Sequence, residues 1–362
     1  MGWLTETSVS PEKSPCVTQV CVSALYVDAG AHNLHTPDHS IDHVRSIALT
    51  SPKKHTIPNN TRPRIGIIGL GIMGGVMAEE LLRQGFKVCG FDIAPTAKAR
   101  LKSHGGQPLA SVQAVSDQSD IVIVSLATSN ALRQVTQALA DAAAKSKHTP
   151  LVIETSTLPL ADKMHCAKAL KAVGVTALDC PISGTAVRMK DRAWTIYASG
   201  PKAAFQQALP ILNAFTDSVP HVGAYGNGTK IKYAANHLVA IYNVAYAESV
   251  TLARKMGLDP QQMLDLFGPS PVLGTGVMRL RMDMMVKQQY TPPTMKVEVW
   301  QKDMQVIGDM AKSLHCPTPV FTACASVYTA AMAQGLALHD TASTAEVLGR
   351  MAGLDSPTSA QS

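Results

Sequence analysis

From Arg64 onward the chain alternates between two kinds of apolar pattern. Ile65-Gly-Ile-Ile68 is a short β-branched run closed by Gly69, and apolar positions then recur at Met73, Met77, Leu81 and Leu82, the three-to-four spacing of a helix with one buried face. Strand, turn and helix follow one another. Residues 87–92 (KVCGFD) predict a second strand, 95–102 a helix and 121–126 (IVIVSL) a buried strand. Residues 151–153, 175–178 and 194–198 predict further strands, separated by helical patterns over 131–144 and 160–171. Alternating β and α segments imply an α/β, Rossmann-type doubly wound parallel sheet with right-handed crossovers.

After about Gly223 the strand pattern stops. Residues 230–256 form a long, mainly apolar stretch without Pro or Gly that ends at Gly257, the usual helix stop signal. It predicts a helix of roughly 40 Å at 1.5 Å per residue. Three further helical segments follow, around 260–267, 294–313 and 320–335, with Pro317 and Pro319 between the last two. The expected organisation is an extension over 1–62, a dinucleotide-type domain over 63–223, an all-α C-terminal domain over 224–350 and a flexible tail over 351–362.

Composition narrows the picture. With 362 residues, 46% apolar and 16% charged, the chain has material for two cores and lies outside the disordered class. Residues 1–60 differ: they hold His32, His35, His39, His43 and His55 but sustain no period, and Pro and Ser interrupt them. They read as a disordered appendage rather than a metal-binding tract. No run of about 18 apolar residues predicts a membrane span. The opening residues lack a signal-peptide pattern, fail the myristoylation motif at Glu6 and make a poor mitochondrial transit peptide, so a cytoplasmic protein is expected. The cysteines (16, 21, 89, 166, 180, 316 and 324) form no C-x-x-C pair, which argues for reduced thiols and against a metal site. The net charge of +6 comes without a dense basic block and with only 5% aromatics, so small anions fit it better than nucleic acid.

The chemistry begins at Gly69-Leu70-Gly71-Ile72-Met73-Gly74, a G-x-G-x-x-G placed between a predicted strand and a predicted helix. The first glycine makes the turn, the second admits pyrophosphate to the backbone, and the third lets helix and strand pack closely, with the helix N-terminus facing the phosphates. Asp92 ends the next predicted strand and can accept the ribose hydroxyls of NAD. It would repel the 2′-phosphate of NADP, and no Arg follows immediately to neutralise one. NAD is therefore expected rather than NADP.

The Met before the third glycine resembles the β-hydroxyacid dehydrogenase family, which includes 3-hydroxyisobutyrate dehydrogenase and the cofactor domain of 6-phosphogluconate dehydrogenase. Later motifs are similar too. Leu126-Ala127-Thr-Ser129 resembles the family's L-P-x-S turn, and Thr155-Ser-Thr157 its S-S-T turn on the cofactor side. Asp179-Cys-Pro-Ile-Ser183-Gly184-Thr185 resembles its D-x-P-V-S-G-G substrate loop. Gly226-Asn-Gly228-Thr-Lys-Ile-Lys232-Tyr-Ala-Ala-Asn236 matches the family pattern at the lysine and the asparagine, and Lys302-Asp303 resembles its K-D pair. The resemblance implies that Leu126, Ala127, Thr157 and Lys302 lie at the cofactor, that Ser183, Gly184 and Thr185 bind substrate, and that Lys232 and Asn236 are catalytic. Residues 236–248 and 299–303 look more like the threonate dehydrogenase branch than the valine-catabolic one.

Lys232 and Asn236 also carry an argument of their own. At i and i+4 on one helix they share a face, so an ammonium and an amide can converge on one substrate oxygen. Hydride transfer from an alcohol requires removal of the hydroxyl proton, and a partly desolvated lysine can have its pKa lowered enough to do this. Lys230 falls on a different face and reads as exposed. Ser183 and Gly184 follow a strand, where a hydroxyl and successive N–H groups can hold a carboxylate. The sequence departs from the family at Thr185, which replaces a glycine, and at Arg192-Ala-Trp194, preceded by Arg188 and Lys190. A bulkier, more basic rim is expected, suited to a polyhydroxylated or second-carboxylate substrate.

The expected function is NAD-dependent oxidation of a small anionic 3-hydroxy carboxylate, 3-hydroxyisobutyrate-like or a sugar acid, to the 3-oxo acid or semialdehyde. Lys232 would be general acid/base. An NADP-dependent small-aldehyde or imine reductase of the same fold, and a nucleotide-sensing binding module, are the alternatives. The Met-rich helices (Met282, Met284, Met285, Met304) read as core or subunit packing, and with the long apolar helix they imply a homodimer or homotetramer.

Overall fold

Ile65–Ile68, four residues with buried side chains, form β1 at the centre of a parallel sheet. The computed structural model describes residues 62–354 except residue 147. The expected extension over 1–62 therefore lies almost wholly outside the described residues, as does most of the tail. Around β1 run β2 (Val88–Phe91), β3 (Gln107–Pro108), β4 (Ile121–Val124), β5 (Leu151–Glu154) and β6 (Ala177–Asp179), in the order β3-β2-β1-β4-β5-β6. Every pairing is parallel, with Ile65 opposite Val88 on one side and Ile121 on the other.

The strands sort their side chains by period two. Ile65, Ile67, Ile121 and Ile123 face one layer, closed by α1 (Ile72–Arg83) through Met77 and Leu81 and by α6 (Lys202–Leu212) through Phe205, Ala208 and Ile211. Ile68, Val122 and Val124 face the other layer, closed by α3 (Val112–Gln118), α4 (Ser129–Lys145) and α5 (Leu160–Ala172). The helix α2 (Pro95–Ser103) joins β2 to β3. This is the doubly wound sheet expected from the alternating pattern. Its glycine turn and the tip of β4 lie on either side of the point where the strand order reverses, the place where such sheets bind ligands.

One strand departs from expectation. Residues 194–198 do not extend the parallel sheet: β8 (Thr195–Ile196) pairs antiparallel with β7 (Ile182–Ser183), and Ser199 bridges back to Asp179. The chain returns along the edge of β6 without a crossover helix, so its direction is reversed.

The helical half is built on α7 (Asn227–Lys255), whose 29 residues span about 44 Å. Its buried side carries Tyr233, Ala240, Val244, Ala247 and Val250. Five helices, rather than the three expected, pack around it: α8 (Pro260–Phe267), α9 (Gly276–Lys287), α10 (Val297–Ser313), α11 (Pro319–Ala333) and α12 (Thr344–Met351). In α9, Met278, Met282 and Met285 recur at helical spacing and are buried in one cluster, and Met304 of α10 is buried in another. These four methionines are thus core of this half, while Met284 is half-buried and Met256 exposed. A buried ion pair from Arg281 to Asp340 ties α9 to the turn before α12, and Asp340 also accepts from the Thr294 and Met295 N–H groups. Among the described residues no helix is long and apolar enough to cross a membrane.

Candidate active site

The glycine turn is held by side chains from β2 and α2. Gly69 has φ +88°, open to glycine and strained for other residues, and a Cβ on Gly74 would lie 1.9 Å from the Gly69 carbonyl oxygen, so helix and turn touch backbone to backbone. Gly71 differs: a Cβ there would meet nothing within 4 Å. Open space at Gly71, beside an N-terminus of α1 that no side chain caps, is the cradle a pyrophosphate requires. Leu70 is buried and Ile72 exposed, so the turn offers backbone rather than a side-chain pocket.

Asp92 stands just past β2 and accepts from the Leu70 N–H at 2.6 Å and the Ala94 N–H at 2.8 Å. These bonds fix the turn, and a carboxylate has about four acceptor sites, which leaves capacity for ribose hydroxyls. Arg100, not anticipated from the sequence, reaches over from α2 and donates to the carbonyls of Leu70 (2.7 Å) and Gly71 (2.8 Å). Its signal was its place beside the buried Leu101, on the side of α2 that packs under the turn.

A cavity of about 530 Å³ opens where the tips of β4 and β5 meet α7 and α10, and Met73, Leu126 and Thr157 are on its wall. Ala127 is exposed, one residue beyond Leu126, and is not on the cavity wall. The two strand tips are tied by Ser156 Oγ accepting from the Leu126 N–H at 2.8 Å and by the Thr155 hydroxyl donating to the Val124 carbonyl at 2.9 Å.

Lys232, Asn236, Ser183, Gly184, Thr185 and Lys302 all line this cavity. Lys232 and Asn236 are 8% and 4% exposed, one helical turn apart on α7. The Lys232 Nζ has no hydrogen bond or ion pair within the described residues. Burial drives its pKa down to about 8, with Asp303 opposing and Lys302 adding to the fall. Asn236 donates to Asp303 Oδ2 at 2.8 Å, and Lys302 pairs with Asp303 Oδ1 at 3.0 Å and donates to the Thr157 carbonyl. The cavity therefore holds one desolvated, unpaired amine beside an amide whose orientation is set by a carboxylate. Lys230 is exposed, as its face requires.

Gly184 has φ +145°, and a Cβ on it would stand 2.3 Å from the Trp194 ring. Trp194 is 1% exposed and donates from its indole nitrogen to the Thr185 carbonyl at 2.8 Å. It is a floor beneath the loop rather than the bulky rim expected. Arg192 also departs from expectation: with φ 54° it turns away to pair with Asp217 at 2.6 Å and donates to the Asn213 carbonyl. Lys190 does not line the cavity either. Of the expected basic rim only Arg188 reaches the wall, with a loose 3.5 Å pair to Asp191. Among the described residues Thr185 Oγ1 is buried without a hydrogen-bond partner.

The first turn of α7 is anchored in the sheet domain. Gly228 lets it approach, since a Cβ there would lie 2.2 Å from the Tyr197 carbonyl oxygen. Its N–H donates to Ser199 Oγ at 3.0 Å, and the Thr229 N–H donates to Asp179 Oδ2 at 2.8 Å. Asp179 in turn meets Lys163, a fully buried lysine that sequence reasoning passed over, although Lys163, Cys166 and Leu170 mark the buried face of α5. Among the described residues no group of three or more His, Cys, Asp or Glu could hold a metal.

Residues 64–223 match the family described as NAD binding domain of 6-phosphogluconate dehydrogenase, and residues 226–348 that described as NAD-binding of NADP-dependent 3-hydroxyisobutyrate dehydrogenase. An L-threonate dehydrogenase of Cupriavidus necator is 30% identical over 75% of this chain and 91% of its own. A 2-(hydroxymethyl)glutarate dehydrogenase of Eubacterium barkeri is 25% identical over 80% of this chain and 96% of its own. Among solved structures, a 3-hydroxyisobutyrate dehydrogenase from Salmonella typhimurium is 30% identical with TM-score 0.68, covering 78% of this chain and 99% of that one. One from Mycobacterium tuberculosis, with L-serine, is 25% identical with TM-score 0.70, over 79% and 99%.

Proposed function

The chain belongs to the β-hydroxyacid dehydrogenases, a family of NAD(P)-dependent oxidoreductases that act on small hydroxy acids, and from that membership we propose that it oxidises a small polyhydroxylated or dicarboxylic hydroxy acid, with NAD preferred and Lys232 as general acid/base. The observation that carries the reading is the Lys232 amine: buried in the cavity wall, unpaired within the described residues, and held near pH 8.

A bound nicotinamide supplies the hydride acceptor, and the glycine turn from Gly69 to Gly74, with Asp92, Leu126, Ala127, Thr157 and Lys302, would hold that cofactor. Neutral Lys232 takes the proton of the substrate hydroxyl as the carbinol hydrogen leaves, and returns a proton to the carbonyl in the reverse direction. Asn236, fixed by Asp303, hydrogen-bonds the same oxygen and keeps it in line with the amine. The Ser183 hydroxyl and the Gly184 and Thr185 N–H groups receive the substrate carboxylate. Buried Trp300, also on the cavity wall, helps exclude water.

The substrate class rests on the charge in the cavity wall. Arg188 offers a cation that a simple branched hydroxy acid would leave unused. The likeness to L-threonate dehydrogenases supports a tetronic sugar acid, and that to a 2-(hydroxymethyl)glutarate dehydrogenase a second carboxylate. The NAD preference rests on Asp92 at the ribose position. A homo-oligomer is supported by an exposed stripe of Ile231, Leu238, Leu252 and Met256 along one face of α7; the buried methionines do not contribute to it.

The test is absorbance at the NADH band with NAD or NADP against 3-hydroxyisobutyrate, threonate and a hydroxy dicarboxylate, beside Lys232→Ala. Turnover by wild type and its loss in Lys232→Ala is the expected result. An undiminished Lys232→Ala enzyme would remove the acid/base role, and a wide margin for NADP would remove the role of Asp92 and favour the reductase alternative. A nucleotide sensor would need no such amine and would turn over none of the panel.

A further inference from the structure

Lys163 lies outside the cavity, yet its partners belong to the segments that build it. Its side chain is 0% exposed on the second turn of α5. The ammonium stands 2.6 Å from Asp179 Oδ1 and 2.6 Å from Glu154 Oε2, and donates to the Ser156 carbonyl at 2.9 Å and Thr229 Oγ1 at 2.8 Å. Glu154 closes β5 and accepts from the Ser156 N–H at 2.8 Å, at the start of the cofactor-side turn. Asp179 closes β6 immediately before the loop that presents Ser183 and Gly184. Thr229 is in the first turn of α7, three residues before Lys232 and therefore on a neighbouring part of the same side.

We propose that Lys163 is a positioning residue, a buried tie point that holds the cofactor-side turn, the substrate loop and the first turn of α7 in one arrangement and so fixes where the Lys232 amine stands. The proposal rests on the acid/base role of Lys232.

Stability alone is a poor account of the cluster. Removing three charges from water is expensive, and apolar replacements of similar volume often fold as well or better. What such a cluster supplies is geometric selectivity: each partner has one place relative to one nitrogen. The hydrogen bonds propagate that placement. Asp179 Oδ2 accepts from the Thr229 N–H and from the Ser199 hydroxyl, and Ser199 Oγ accepts from the Gly228 N–H. The helix that carries Lys232 is thus registered against β6 through its own first-turn N–H groups. Loosening that register would let water reach a side chain whose lowered pKa comes chiefly from burial. The charged groups that act on Lys232, Asp303 and Lys302, lie on α10, and Lys302 donates to the Thr157 carbonyl in the turn that Lys163 braces.

The experiment uses the full chain with Lys163→Met paired with Glu154→Gln, which removes one charge of each sign and leaves Asp179 bonded to Thr229 and Ser199. Thr229→Val is the second variant. It deletes the hydroxyl, which accepts from Lys163 and donates to Asp179 Oδ1, and carries the test should the double variant not fold. Each is assayed for kcat and KM on the best substrate, for the pH dependence of kcat/KM in the oxidative direction, for NADH binding by fluorescence and for melting temperature.

The expected result for the double variant is a kcat lower by at least about tenfold, with NADH binding within about threefold of wild type. The rising limb should move up by roughly half a unit to one unit, toward the ordinary lysine value. Thr229→Val should move both readouts the same way by less. Folded variants with the wild-type kcat and limb would overturn the positioning role and leave Lys163 purely structural. Lys232→Ala separates the two ideas: if it keeps wild-type turnover the acid/base reading falls first, and if it is inactive while the Lys163 and Thr229 variants are normal, only the positioning role falls.

Discussion

Replacing Lys232 by methionine keeps most of the side-chain length and removes the amine, so activity and stability should move in opposite directions. In the folded protein the amine is displaced from 10.5 to about 8, chiefly by burial. At about 1.36 kcal/mol per unit this is roughly 3 kcal/mol of folding free energy set against keeping a charged ammonium in the cavity wall. The cost is present wherever both folded and unfolded lysine are protonated, that is below about pH 8. Between about pH 8 and 10.5 the folded amine is neutral while the unfolded one still binds a proton, so the wild type regains stability as pH rises through this window. Asp303 keeps Asn236 and Lys302 as partners after the change, so no carboxylate is orphaned. Lys232→Met should therefore be more stable than wild type at pH 6.5 by on the order of 1 to 3 kcal/mol, with the advantage shrinking toward zero by pH 10, while kcat falls by about 10²- to 10⁴-fold. Urea unfolding followed by circular dichroism at pH 6.5, 8 and 10 reads the stability, and NADH formation reads the rate. A variant less stable than wild type at pH 6.5, or a difference that does not change with pH, would show that the folded amine is not depressed and would remove the physical basis for its role as base.

Gly184→Ala should raise KM for substrate far more than it changes NADH affinity, because the backbone at φ +145° and the Trp194 ring beneath it leave no place for a methyl group; the positive φ alone costs on the order of 1–3 kcal/mol, and an unchanged KM would mean the loop does not hold substrate. Arg188→Leu should lower kcat/KM for a hydroxy dicarboxylate or sugar acid by about tenfold or more while sparing 3-hydroxyisobutyrate, a selective loss of the size one charged hydrogen bond carries; equal losses on all would move the tail subsite elsewhere. Asp340→Ala leaves Arg281 buried at 4% exposure without its carboxylate and should destabilise by about 3–5 kcal/mol in urea unfolding. In the wild type, Asp340 is held below its ordinary value because the Arg281 charge and backbone N–H groups outweigh burial, so its contribution is full above pH 3.8 and is lost as pH falls below that.

The sheet domain was legible because its strands are short apolar runs with glycine and polar punctuation. Besides α3 and α6, for which the sequence reading offered no pattern, two features there were misjudged for physical causes. β3 is a two-residue edge strand, Gln107–Pro108, with too little apolar character to register, and residues 194–198 look like any buried strand until the bridge from Ser199 to Asp179 fixes their direction. In the helical half, α9 hid behind charge, since Arg281 sits among the methionines on its buried side and only its tertiary partner Asp340 makes that tolerable. The proposed catalytic pair could be read at i and i+4 because helical spacing is a fact of the chain. The rim could not, because Arg188 and Arg192 lie in a turn with no period, and one positive φ at Arg192 sends the two side chains to opposite destinations. Lys163 was readable in principle from the buried face of α5, but its partners come from β5, β6 and α7, which only the fold assembles.

The 29-residue helix makes the proposed base a lever rather than a passenger. Lys232 stands near one end of a rod whose other end is gripped by Ala247 and Val250 among Met278, Met282 and Met285. From Lys232 to Val250 is 18 residues, about 27 Å of unbroken helix. A small displacement imposed at that grip by a single core substitution is carried along the rod to the amine, where it works against the anchor of the first turn on Ser199 and Asp179. Mutational drift at core positions off the cavity wall can therefore bear on turnover, and the helical half is free to acquire new surfaces only along faces that do not bear on this axis.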